Sequence, residues 1–168
     1  MSILYLLNPI TMLKLIRIDD RLLHGQVGFT WTPALNINCI VVANDRAATD
    51  EFLKMTLGLA KPSGTKLVVK TVQETVLFLN DEKNNALAML VLTESVKDAH
   101  ALAVGVDAIR SINLGGIRAK TGARPVSKAI ALTDNDILLI RELLARGIEL
   151  EVRQVPTDKK IGIENLLS

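Results

Sequence analysis

Short aliphatic runs recur along the chain at 13–18, 39–43, 66–70, 86–92, 109–114, 126–132 and 149–155, with helix-like segments between most of them. Runs of this length, rich in Val, Ile and Leu, read as strands buried on both faces, which is the condition of a parallel sheet. The intervening segments carry helix signals. Residues 49–60 open with the acidic turn Asp50 and Glu51 after Thr49 as the expected cap, and 71–80 begin with a Thr71/Glu74 capping box. Residues 95–104 start at Ser95 and stop at Gly105. Residues 133–146 place Ile137, Leu138, Ile140, Leu143 and Leu144 on one stripe that Gly147 ends. Strand, helix, strand, helix is the pattern of right-handed crossovers. The expectation is one α/β domain over 12–168: a mostly parallel open sheet of six to seven strands, with helices on both faces.

Composition narrows the function classes. With 20 Lys and Arg against 18 Asp and Glu, and 3% aromatic residues, the chain has neither the charge excess nor the stacking surface of a nucleic-acid binder. The single cysteine, Cys39, excludes an intrachain disulfide framework and suits a reducing cytoplasm. The longest apolar run, 86–92, is far short of a membrane span. Residues 1–11 are apolar but have no basic region and no cleavage site, so they read as an extension or a mis-called start ahead of Met12 rather than a signal peptide.

Ligands of open α/β sheets sit beyond the carboxyl ends of strands, so two loops stand out. One is 115–125, rich in glycine and basic residues and without hydrophobic period. The other follows the first strand and reads Arg17-Ile18-Asp19-Asp20-Arg21-Leu22-Leu23-His24-Gly25-Gln26-Val27, with Phe29 and Trp31 in the helix-like segment behind it. A histidine just ahead of a helix N-terminus sits where anions are favoured, and a neutral imidazole there can accept a phosphoryl group. Arg17 and Arg21 would supply charge-assisted hydrogen bonds, Asp19 or Asp20 would fix the imidazole tautomer, and Gly25 would let backbone approach the phosphoryl group. Spacing alone equally allows a solvated loop of compensating charges. A metal at Asp19, Asp20 and His24 is not expected, because no further His or Cys cluster supports it.

The same loop resembles the active-site loop of the IIB components of the mannose/fructose/sorbose family of the bacterial sugar phosphotransferase system. The segments Asn113-Leu114-Gly115-Gly116, 127–133 and 149–158 resemble that family in order and spacing, so the likeness runs from Met12 to Leu167. It departs at Asn44-Asp45, where the family often has two aspartates, and at 120–124, where the family is richer in lysine. The resemblance implies a phosphoryl relay. His24 would take a phosphoryl group on Nδ1 from a phosphohistidine of a IIA partner and pass it to a sugar carried by a IIC/IID membrane complex. It implies no nucleotide, cofactor or metal in this subunit, and a cytoplasmic protein held at the inner membrane face through the permease. Pairing of two copies stays open.

Weaker candidates complete the set. Asn44 and Asp45, at the end of the second strand, would flank the first loop or form an Asx turn. Gly115 and Gly116 would permit an unusual turn. Arg118, Lys120 and Arg124 would meet phosphate, a partner's acidic rim or only solvent. His100 lies in a helical stretch and reads as a surface or packed residue. Rival readings fare less well. The chain has no Rossmann glycine fingerprint and no Walker A loop. A receiver-like phosphorelay module needs an aspartate ending the third strand, where Val69-Lys70-Thr71 stands. A non-catalytic regulatory module on the same fold would make His24 dispensable.

Overall fold

The computed structural model describes residues 13–167; residues 1–11 and Met12, read above as an extension and a start, lie outside them. Five parallel strands form most of the main sheet: β1 (Leu13–Asp19), β2 (Cys39–Ala43), β3 (Lys66–Lys70), β4 (Met89–Thr93) and β5 (Ser111–Gly116). Two short strands, β6 (Ala123–Pro125) and β7 (Ala131–Thr133), pair with each other outside it, and β8 (Glu149–Val152) and β9 (Ile161–Gly162) complete it. The order is β3-β2-β4-β1-β5-β8-β9, parallel throughout except for β9.

Successive strand residues face opposite layers, and both layers are apolar. Ile16, Ile18, Val41, Met89, Val91, Ile112 and Leu114 pack on α4 (Val72–Asn80), α5 (Val96–Gly105) and α6 (Asp134–Ala145). Leu15, Ile40, Val42, Leu90 and Leu92 pack on α1 (Gly25–Ala34), α2 (Asp45–Thr49) and α3 (Glu51–Leu59). Burial on both faces is why these strands read as continuous aliphatic runs. The two layers also locate the crevice. The chain leaves β1 toward the α1 layer, whereas it leaves the neighbouring β4 toward the α5 layer and returns from β5 through α6. The winding direction reverses there, so a cleft opens at the carboxyl end of β1.

Three expectations need correction. The helix expected over 49–60 is α3, but Asp50 rather than Thr49 is its cap: its carboxylate accepts from Leu53 N and its backbone is extended, and a separate short helix, α2, absent from the expectation, ends at Thr49. The strand expected over 126–132 does not exist as one element. Val126 N and Ser127 N both donate to Ile130 O, closing a tight turn, and only its end enters β7. The loop expected over 115–125 begins later, since Gly115 and Gly116 are the last residues of β5, and its end forms β6.

Candidate functional site

β1 ends on Asp19, and five residues carry the chain into α1. Leu22 holds a left-handed backbone, φ 58, and its N–H donates to Asp19 O at 2.8 Å. A leucine adopts that conformation at a cost of order 1 kcal/mol, so its surroundings must hold it there. Burial does so: Leu22 and Leu23 are both sunk in the layer beneath α1. Two leucines thus clamp the loop while Arg21 and His24 stay at the surface, and Asp20 N ties it to β5 through Gly116 O at 2.9 Å.

Asp19 is the centre of the site. Its side chain is 1% exposed; Oδ2 lies 3.0 Å from His24 Nε2 and accepts from Arg17 Nη2 at 3.2 Å, while Oδ1 accepts from Arg21 N at 3.1 Å. Burial pushes this carboxyl up, but the His24 and Arg21 N–H hydrogen bonds and the Arg17 charge outweigh it and hold the group below its ordinary value. An ionised carboxylate accepts only, so the facing Nε2 carries the proton and Nδ1 keeps its lone pair. Of the two aspartates considered from sequence, Asp19 is the one in contact with the ring. Asp20 instead accepts from Arg118, at the backbone N (2.8 Å) and at Nε.

Arg17 belongs to the interior rather than to the loop surface. It is 2% exposed, its Nη1 donates to Asn113 Oδ1 at 2.8 Å and to Arg153 O at 3.1 Å, and its guanidinium lies 5.4 Å from the Trp31 ring centroid. Arg153 covers the same ring at 5.1 Å and pairs with Glu151, and Trp31 Nε1 donates to Gln154 O at 3.3 Å. Trp31 is therefore a packed residue at the site, and Phe29 is the exposed one. Asn113, Glu151 and Arg153 went unrecognised as site residues in the sequence. The available signal was a glutamate between Leu150 and Val152 in a buried strand, since an apolar strand rarely carries an unpaired carboxylate.

His24 is the residue preceding α1, with an extended backbone and no side-chain cap, and the first turn contains no acidic residue. The free N–H groups of that turn therefore lie beside the imidazole, which keeps 18% of its surface exposed. A side chain on Gly25 would meet nothing closer than Phe29 at 3.9 Å, so the space over the start of α1 is open at that position. Gln26 is exposed on the same turn. Arg21, half-exposed, leans toward Asp19 with Nε 3.8 Å from Oδ1. A cleft of about 500 Å³ opens next to it, lined among others by Asp20, Arg21, Gly115, Gly116, Arg118 and Gln154.

Other sequence candidates are placed elsewhere. Asn44 caps α2 by accepting from Ala47 N at 2.8 Å, and Asp45 accepts from Val72 N at 2.9 Å; both end β2, which β4 separates from β1. Asn44 is thus a helix cap, and Asp45 ties α2 to the start of α4. Lys120 is exposed beside Glu94 and Asp136, and Arg124 approaches Asp134 at 3.9 Å. His100 pairs with Glu142 at 2.8 Å between α5 and α6. Among the described residues no group of three or more His, Cys, Asp or Glu side chains converges as a metal site, and no helix is long and apolar enough to cross a membrane.

This chain is similar to known proteins over nearly all of its length. It is 36% identical over 161 residues to the mannose-specific EIIAB component of Escherichia coli K12, covering 96% of this chain but spanning only half the length of that protein. It is 31% identical to the sorbose-specific EIIB component of Lacticaseibacillus casei, with 90% of this chain and 92% of that one covered. The crystal structure of the IIBSor domain of the Klebsiella pneumoniae sorbose permease superposes with a TM-score of 0.87 at 30% identity, covering 92% of this chain and 95% of that one. The model of the PTS system sorbose subfamily IIB component matches residues 13–168, and the chain belongs to that family.

Proposed function

We propose that this chain is the phosphoryl carrier of a sugar phosphotransferase system, with His24 Nδ1 as the accepting atom. The observation that carries the reading is the 3.0 Å contact between Asp19 Oδ2 and His24 Nε2, made at the N-terminus of α1, which no side chain caps. The proton stays on Nε2, so the Nδ1 lone pair attacks phosphorus as the bond from phosphorus to the donor histidine breaks. The donor leaves as a neutral imidazole, and His24 acquires a positive ring that the Asp19 carboxylate stabilises. The phosphoryl oxygens gain the N–H groups of α1 and the Arg21 guanidinium. In the second half-reaction a sugar hydroxyl attacks phosphorus as the bond from phosphorus to His24 Nδ1 breaks, its proton passes to water, and His24 returns to the neutral ring.

The partners of this reading are a IIA protein or domain bearing phosphohistidine and a IIC/IID permease, with the chain in the cytoplasm at the inner membrane face. The IIA partner has support in the mannose-specific relative, whose name joins IIA and IIB in one protein. The test is incubation with a phosphorylated IIA protein. Acid-labile, alkali-stable label is expected on the native chain and absent from His24→Ala. Equal label on both proteins would refute the assignment.

A further inference from the structure

Behind Asp19 and His24, a line of buried polar groups runs across three strands, β1, β5 and β8, and ends at a carboxylate that touches neither. Glu151, on β8, is 3% exposed and far from the imidazole in bonded steps. Both its oxygens accept from Asn113 Nδ2 at 3.2 Å, and Arg153 donates to them from Nε at 3.0 Å and Nη2 at 2.8 Å. Asn113, fully buried on β5, turns its Oδ1 to Arg17 Nη1 at 2.8 Å, and Arg17 Nη2 reaches Asp19.

The chemistry of these groups fixes their sense. A carboxylate has no proton to give, so the Asn113 amide must present its NH2 to Glu151 and its carbonyl to Arg17. That carbonyl, together with Arg153 O, anchors Nη1 and leaves Nη2 facing Asp19. The Trp31 ring, within 5.4 Å of both the Arg17 and the Arg153 guanidinium, restricts the remaining freedom. The four charges of the line, Asp19, Arg17, Glu151 and Arg153, alternate in sign and cancel. Asn113 Nδ2 also donates to Arg153 O at 3.2 Å, so the amide keeps its sense without the Glu151 charge. Loss of that charge leaves Arg17 and Arg153 with Asp19 as the one remaining carboxylate of the line, which draws Asp19 onto Arg17 at the expense of His24.

We infer that Glu151 is a positioning residue for the phosphoryl-transfer histidine, acting through Asn113, Arg17 and Asp19. The inference rests on His24 being the phosphoryl acceptor. Glu151→Gln tests it, because it keeps the shape and removes the charge. At saturating phosphorylated IIA the transfer rate falls about 10–100-fold while the half-saturating donor concentration is unchanged. In the unphosphorylated protein, nitrogen NMR of the His24 ring shows a smaller share of the Nε2–H tautomer.

The double variant Glu151→Gln/Asn113→Asp moves the charge one step along the line. The carboxylate introduced on β5 accepts from Arg17 on one side and from the amide introduced on β8 on the other. Rate and tautomer both recover to within about threefold of the native protein. Circular dichroism establishes the fold of each variant. Should Glu151→Gln not fold, Glu151→Asp, which only withdraws the carboxylate, carries the same test with a smaller effect. An unshifted tautomer in a folded Glu151 variant, or no recovery in a folded double variant, overturns the role. That outcome is separate from the labelling result with His24→Ala, since the tautomer is read without phosphate.

Discussion

Gly115 lies against the guanidinium of Arg17 so closely that a Cβ at this position would fall among its Cζ and Nη atoms. The glycine that reads in the sequence as a turn residue is thus a space reserved on β5 for an arginine from β1. The next residue differs. A Cβ on Gly116 would stand 3.7 Å from Asp19 Oδ1, an ordinary contact.

Gly115→Ala therefore must displace the buried Arg17 from Asp19 and Asn113, combining overpacking with a broken ion pair. The expected loss is about 3 kcal/mol of unfolding free energy, with slower transfer. Gly116→Ala should cost less than about 1 kcal/mol. Urea denaturation of the two variants checks the contrast; equal losses would contradict the packing.

The two adjacent aspartates separate in the same way. Asp19→Ala removes the only carboxylate on His24 Nε2 among the described contacts and strands a buried guanidinium, so transfer should fall about 100-fold or more. Asp20→Ala loses only the bonds to Arg118, which is itself largely exposed. Its transfer rate should stay within about threefold of the native value. Rapid-quench labelling from phosphorylated IIA distinguishes the two, and similar rates would mean that Asp20 also serves the ring.

Arg21 offers a third test, because its side chain is half-exposed and its tie to Asp19 is mainly through the backbone N–H, which any residue retains. Arg21→Ala should slow transfer about tenfold while unfolding free energy stays within about 0.5 kcal/mol. A rate equal to the native one would leave the phosphoryl oxygens to the α1 N–H groups alone.

What the sequence discloses of this site follows from distance along the chain. Arg17, Asp19, Arg21 and His24 fall within eight residues and on one strand end, so their proximity is legible without coordinates. Asn113 and Arg153 meet Arg17 across separations of 96 and 136 residues, and only the β1-β5-β8 order brings them together. Likewise the parallel sheet is legible because burial on both faces leaves aliphatic runs, while α2, only five residues long, is too short to show a helical period. The run 126–132 misleads because Val126, Ile130 and Leu132 suggest a strand, whereas Ser127 and Lys128 occupy a turn. Leu22 and Leu23 illustrate the reverse case: apolar residues inside a polar loop that mark where it is pinned, not where it ends.

Acid stability gives the last prediction, and its sign follows from Asp19. Its folded carboxyl is held below the unfolded value, which lies near 3.9, so the unfolded chain binds the proton more readily. The stability it supplies is complete above that unfolded value and disappears as pH falls through the lower folded one. Asp19→Asn lacks this contribution at every pH. The native protein should exceed the variant by about 3 kcal/mol near neutrality, and the gap should close progressively below about pH 4. Urea midpoints measured across that interval check it. A gap that widens as pH falls from neutrality would mean that Asp19 is protonated in the folded chain, and the argument that leaves the proton on His24 Nε2 would fail with it.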